Sequence, residues 1–334
     1  MKDGERFGME TCMDLKPVSP FVQDEFAAYE KLRPIYMSEG HFLNQFLWEN
    51  YYHTRYMTDD LALYLVIRLT DGSNSLPGNS LPGNSLSSHG FFAPLCRESD
   101  LPEVFSRMER FSIDCFHEPL RIFLADSRMI DILTEKNCLG GYTITPQRDS
   151  FDYLYDAEKL RNLSGKIMHK KKNLVNSFLK TYEGRFSYET LGIKNIKEIK
   201  AFHQKWLDER RIYDKYNCID DEEEGIYRLF GNCQSIRCKM GGVRIDGELR
   251  AYTIGSYCPD THMAIIHVEK ADVNFRGLYN YINQQFILHE FPDALLVNRE
   301  DDLGQENLRQ AKLSYRPVRL EEKFIISDFS TSLS

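Results

Sequence analysis

Leu295-Leu296-Val297-Asn298-Arg299-Glu300-Asp301-Asp302-Leu303-Gly304 is the stretch from which the fold of this chain is read. An apolar run from Ala294 to Val297 leads into five consecutive polar residues, four of them charged. A helix-like segment follows and closes on Ala311-Lys312-Leu313-Ser314-Tyr315. A buried strand that ends in charge and turns into a helix is how an open α/β sheet presents groups to a ligand. A solvated loop has the same composition, so the flanking segments decide between the two.

Upstream, Thr261 to Val268 carries apolar residues on both parities, as a central strand does, and ends in Glu269-Lys270. Leu278 to Glu290 sets Leu278, Ile282 and Phe286 at helical spacing, and the strand Ala294 to Asn298 comes next. Strand, helix, strand is a crossover unit, so the two strands are expected to run parallel and to end at one edge of the sheet. Glu269-Lys270 and Asn298-Arg299-Glu300-Asp301 are thereby expected to meet, which favours a ligand crevice there. Before this unit, Gly242 to Gly255 reads as two antiparallel strands turning at Asp246-Gly247. Residues 195–210 read as a helix containing Trp206.

Between Asp152 and Tyr182, Leu160, Leu163, Ile167, Leu174 and Phe178 trace one helical face, interrupted at Lys171, with Gly165 as a break. Lys166, His169, Lys170 and Asn173 line another face. That face is a solvated surface or an anion platform for a phosphate-bearing molecule. The first half alternates helices (24–33, 39–55, 100–111, 127–136) with strands (61–69, 91–95, 120–125) and shows no catalytic constellation. Residues 73–88 repeat Asn-Ser-Leu-Pro-Gly and read as a flexible loop between two strands.

With 334 residues, 42% hydrophobic and 28% charged, the chain fits one large or two medium globular domains. No apolar run reaches the roughly 20 residues that span a bilayer, and Met1 to Glu10 has no signal-peptide core. Eight cysteines without a CxxC pair are expected as reduced cytosolic thiols. His262 and His267 differ in parity, which argues against a shared metal. A net charge of -8 argues against indiscriminate nucleic-acid binding, since duplex or tRNA affinity rests on neutralised phosphates; it leaves duplex DNA out as a partner and leaves room for one local basic patch.

Asp152-Tyr153-Leu154-Tyr155, Leu163-Ser164-Gly165-Lys166 with His169 to Asn173, His267 to Asp272, and Asn298 to Gly304 with Ala311 to Tyr315 resemble a known family. It is the family with a phosphatidylglycerol lysyltransferase C-terminal-like domain, within the GNAT-like acyltransferase superfamily. The resemblance implies an α+β chain of tandem GNAT-like domains, each a mixed, mainly antiparallel sheet flanked by helices. The expected division is 1–150 and 151–334, the second carrying the site. Lysyl-lipid synthases resembling this family move an aminoacyl group from charged tRNA onto a lipid head group. The resemblance thus brings an acyl donor, aminoacyl-tRNA or acyl-CoA, and a lipid head group, charged tRNA or phosphate-bearing small molecule as partner. It is compatible with a cytoplasmic protein that meets the membrane peripherally through the Lys166–Lys172 region.

Acyl transfer needs a group to take the acceptor's proton and donors for the oxyanion. Glu269 and Glu300 are the expected bases, with Asp301 as a further carboxylate. Lys270, Arg299 and Lys312, with Asn298, are expected to hold an anionic substrate or carbonyl oxygen, and Tyr315 to donate to the leaving group. Arg276-Gly277 opens the helix at 278, where a pyrophosphate would sit, although the stretch is poorer in glycine than an acetyl-CoA cradle. Three classes therefore stay open: an aminoacyl or acyl transferase, an acetyl-CoA-dependent N-acetyltransferase, and a binding module in which Arg299 pairs with Glu269 or Asp302 only to close the sheet edge.

Overall fold

The computed structural model describes residues 15–70, 87–211 and 218–328. The repeat at 73–88 lies outside them apart from its last two residues. The chain forms two compact units, one built up to Phe151 and completed by the C-terminal segment, the other spanning Asp152–Leu320.

The first unit contains strands β1 (Lys16–Pro17), β2 (Arg55–Thr58), β3 (Ala62–Thr70), β4 (Ser87–Phe92), β5 (Leu95–Cys96), β6 (Arg121–Asp126) and β7 (Tyr142–Pro146). Its helices are α1 (Gln23–Glu30), α2 (Phe42–Leu47), α3 (Glu49–Tyr52), α4 (Leu101–Phe111) and α5 (Ser127–Glu135). In α4, Leu101, Val104, Phe105, Met108 and Phe111 are all buried, so one apolar stripe at helical spacing faces the core. The helix expected over 39–55 is broken instead: a short 3-10 turn precedes α2, and His53 ends α3 with φ of 48°. Cys96, Cys138, Cys233, Cys238 and Cys258 are free thiols, whereas Cys115 is disulfide-bonded, a departure from the reading of uniformly reduced cysteines.

The second unit contains β8 (Asp152–Asp156), β9 (Phe186–Leu191), β10 (Lys239–Ile245), β11 (Glu248–Cys258), β12 (Met263–Ala271), β13 (Leu296–Asn298) and β14 (Arg319–Glu321). Its helices are α6 (Ala157–Asn162), α7 (His169–Thr181), α8 (Ile196–Arg211), α9 (Cys218–Asn232), α10 (Leu278–Glu290) and α11 (Glu306–Leu313). The strand order is β14-β8-β13-β12-β11-β10-β9. Asp246 and Gly247, with φ of 54° and 83°, make the β10–β11 turn, as a two-residue hairpin with the sheet's twist requires. β12 and β13 run parallel, from Met263↔Leu296 to Ile265↔Asn298, with α10 as their crossover, whereas β9–β10, β10–β11, β11–β12 and β13–β8 are antiparallel. Ile282 and Phe286 of α10 pack with Phe178 of α7 and with Ala264, Ile266 and Val297 of the sheet. Phe286 is 1% exposed, and truncating such a side chain to alanine typically costs about 3–5 kcal/mol.

The last strand, β15 (Lys323–Asp328), departs from the expected boundary. Rather than extending the second unit to residue 334, it inserts between β6 and β7 of the first sheet, with Phe324 opposite both Ala125 and Pro146. Without it those two strands would each present an open edge, and Ile326 at its centre is fully buried. Each sheet is mixed and mainly antiparallel, with a parallel pair at β4–β6 in the first and at β12–β13 in the second. The architecture is therefore α+β, of two units that each carry a mixed sheet flanked by helices. Among the described residues, no helix is long and apolar enough to cross a membrane.

Candidate functional site

The parallel pair separates soon after it forms. Ladder pairing stops at Ile265↔Asn298, yet β12 continues to Ala271, so its second half has no strand on the β13 side. Side chains bridge the divergence. Arg299, just past β13, binds Glu269 of β12 at 3.0 Å, and the other carboxylate oxygen of Glu269 accepts from Asn283 of α10 at 2.8 Å. The Arg299 guanidinium also lies 5.0 Å from the Tyr315 ring centre and 5.9 Å from that of Tyr155. From α7, the Lys171 ammonium sits 4.2 Å from the same Tyr315 ring, whose hydroxyl accepts from Asn280 of α10. Four segments, β12, α10, β8 and α7, thus converge on one arginine–tyrosine pair, and the meeting of Glu269 with the residue after Asn298 follows from the crossover topology.

Electrostatics make this cluster an anion-seeking site. Burial opposes the Arg299 charge, but Glu269, Tyr155 and Tyr315 together outweigh it and the arginine pKa is raised. Lys171 has no such partner: burial lowers its pKa and the neighbouring Arg299 charge lowers it further. An incoming carboxylate or phosphate would relieve both effects at once. Burial raises the Tyr315 hydroxyl pKa, so it stays protonated and available as a donor at neutral pH.

The segment after β13 is held from beneath. Lys312 of α11 donates to the backbone carbonyls of Arg299 at 2.6 Å, Glu300 at 3.1 Å, and Asp301. Asn298 is fully buried, donates to Asp152 at 2.8 Å and accepts the Glu300 N–H at 2.6 Å. Asp302 is also fully buried; both its oxygens take the Arg309 guanidinium, at 2.9 and 2.8 Å, and it accepts from the Tyr153 hydroxyl. Asn298 and Lys312, expected at the substrate, therefore serve as scaffold. Asp301 caps its own turn through the Leu303 N–H at 3.2 Å. Glu300, in the left-handed region with φ of 55°, turns its carboxylate to His267 Nδ1 at 2.8 Å.

Other expected members lie elsewhere. Lys270 alternates to the opposite face of the sheet from Glu269, where Glu222 of α9 neutralises it with two contacts of 2.7 Å and Trp206 of α8 lies 4.3 Å away. Lys166, His169, Lys170 and Asn173 are all exposed along the start of α7, and Asn173 is 3.3 Å from the His169 ring. Arg276 is exposed. Gly277 has φ of 90°, and a Cβ there would press on the Leu174 carbonyl oxygen. The glycine is thus required by the α7–α10 crossing, independently of any bound pyrophosphate. Sequence reasoning missed two residues. Lys171 showed only as an interruption in the apolar face of α7, which was the available signal. His267 entered only as a discounted metal partner of His262 and as the first residue of the segment to Asp272.

The family model described as "Phosphatidylglycerol lysyltransferase, C-terminal" matches residues 84–327, well over half of the chain. An uncharacterized protein of Mycoplasmoides gallisepticum is 24% identical over 241 residues, covering 70% of this chain and 74% of that one. Among solved structures, a conserved protein of unknown function from Bacteroides thetaiotaomicron superposes with a TM-score of 0.82 at 25% identity, over 94% of this chain and 99% of that one. L-PGS from Bacillus licheniformis superposes with a TM-score of 0.62 at 12% identity, over 94% and 93%, a likeness of fold.

Proposed function

The chain belongs to the phosphatidylglycerol lysyltransferase C-terminal family, and from that premise we propose that it transfers an aminoacyl group from a charged tRNA onto an amine or hydroxyl acceptor. The observation that carries this reading is the unneutralised, half-buried Lys171 beside the Arg299–Tyr315 pair at the divergence of β12 and β13. An acyl ester whose donor carries phosphates needs a cationic track leading to a sheltered carbonyl site. Here Lys166, His169, Lys170 and Asn173 line the exposed start of α7 and Lys171 turns inward from the same helix.

In this scheme the exposed α7 residues hold phosphate and Lys171 with Arg299 receives the carbonyl oxygen as charge develops on it. Glu269, or Glu300 through the His267 ring, takes the acceptor proton. Tyr315 donates to the leaving oxygen. Acetyl-CoA dependence is the second reading, weakened because the stretch that opens α10 is poorer in glycine than an acetyl-CoA cradle.

The test uses the whole protein with radiolabelled aminoacyl-tRNA and phosphatidylglycerol vesicles or free amine acceptors. We expect label in the acceptor. Glu269→Gln is expected to lower kcat on the order of a hundredfold, and Lys171→Ala to raise KM about tenfold with a smaller effect on kcat. A protein that moves no aminoacyl group, yet melts higher with acetyl-CoA, would overturn the reading in favour of N-acetyl transfer. Flotation with the anionic vesicles at low salt checks peripheral membrane contact, and failure to co-float removes that part.

A further inference from the structure

One buried histidine, His267, makes a contact beyond the link to Glu300 invoked for acyl transfer. The His267 side chain is 0% exposed and both ring nitrogens are engaged by side chains of other segments. Nδ1 lies 2.8 Å from Glu300 Oε1, and Nε2 lies 2.8 Å from the Oγ of Ser256 on β11. An ionised carboxylate can only accept, so Nδ1 carries the hydrogen and the Nε2 lone pair faces the serine hydroxyl. We propose that Ser256, His267 and Glu300 form a nucleophile–base–carboxylate relay that cleaves carboxylic esters through an acyl-serine intermediate. This goes beyond the transfer reading and stands without it, since it requires neither tRNA nor acceptor.

Three local features build the relay. The β11–β12 register slips between Ile254↔Val268 and Gly255↔Ile266, leaving His267 as the extra residue of a β-bulge; bulges re-aim side chains in this way. Gly255 next to the serine allows the close approach, because a Cβ there would lie 2.6 Å from the Ile265 carbonyl oxygen. Glu300 is held at φ of 55°, unfavourable for a residue with a Cβ, by the Asn298 side chain on its N–H, and by the Tyr153 N–H at 3.2 Å and Lys312 at 3.1 Å on its carbonyl. Such over-determined strain concentrates at working sites. The serine is partly exposed while the imidazole is buried, so the hydroxyl is the member of the relay that an ester meets first.

In the first step Ser256 Oγ bonds to the ester carbonyl carbon while its proton passes to His267 Nε2. Glu300 stabilises the imidazolium that results. The bond to the leaving oxygen then breaks and that oxygen takes the proton, releasing an alcohol and leaving acyl-Ser256. Water attacks next, gives its proton to His267, and the carboxylic acid departs as Ser256 recovers its hydrogen.

The experiment treats the full-length protein with a fluorophosphonate probe and with 4-nitrophenyl acetate. We expect one adduct, mapped by peptide mass spectrometry to Ser256, and ester turnover that falls about a thousandfold in Ser256→Ala. Glu300→Gln should slow both labelling and turnover on the order of a hundredfold and alter the pH profile, which a merely structural carboxylate would not do. Absence of an adduct at Ser256 in the folded wild-type protein, or undiminished turnover in Ser256→Ala, overturns the proposal. Because the probe needs no aminoacyl donor, this result and the tRNA assay fail independently.

Discussion

Replacing Lys312 by methionine tests how the loop after β13 is held. The ammonium is buried beneath that loop, donating to the carbonyls of Arg299, Glu300 and Asp301, and its pKa falls to about 8 because burial outweighs the attraction of Asp301. In the unfolded chain it titrates at about 10.4. Between those values the unfolded state binds more protons than the folded one, so this group's contribution to stability rises with pH. The full span is about 3 kcal/mol, and about 2 kcal/mol of it falls between roughly pH 7 and 9.5. Methionine keeps the apolar stem but neither donates nor titrates. We expect Lys312→Met to be less stable by about 2–4 kcal/mol at neutral pH, since three carbonyls lose their donor. The gap to wild type should then widen by about 2 kcal/mol toward pH 9.5. Urea titrations followed by Trp206 emission in a Trp48→Phe background report on the second unit, and other titrating groups cancel in the difference. A gap that stays flat or narrows with pH would refute the account of Lys312 as a cation held against its burial.

Other expectations follow from the same geometry. Asp302→Asn strips the bidentate partner from Arg309 and should cost about 2–4 kcal/mol by denaturant melt; because its pKa is lowered in the folded state, the wild-type contribution is present above about pH 4 and lost as pH falls. Gly277→Ala must both adopt a positive φ and displace the Leu174 carbonyl, so a loss of about 2–4 kcal/mol is expected, with or without any coenzyme. Arg299→Lys keeps the charge but loses the planar contact with Tyr315 and should raise KM for an anionic substrate about tenfold or more.

The strand–helix–strand pattern at 261–298 was legible because its causes are local: periodicity sets element type, and a crossover of that length dictates parallel strands. From this alone came the meeting of Glu269 with Arg299. The basic start of α7 was equally plain as a face, and the Asp246-Gly247 turn as a dipeptide. What the linear chain did not contain was the side of the sheet each charge would take once a bulge shifted the register. Alternation sends Lys270 to Glu222 and Trp206, away from its neighbour Glu269. The bulge at His267 joins Ser256 to Glu300, residues from two separate segments that no spacing rule connects. Lys171 and β15 follow the same logic, one meeting Tyr315 and the other completing a distant sheet. Local propensity therefore determined the elements and the meeting of two strand ends. Non-local packing, with partners as far apart as Ser327 and Arg121, decided which side chains face one another, because register and helix crossing are settled only when the surfaces meet.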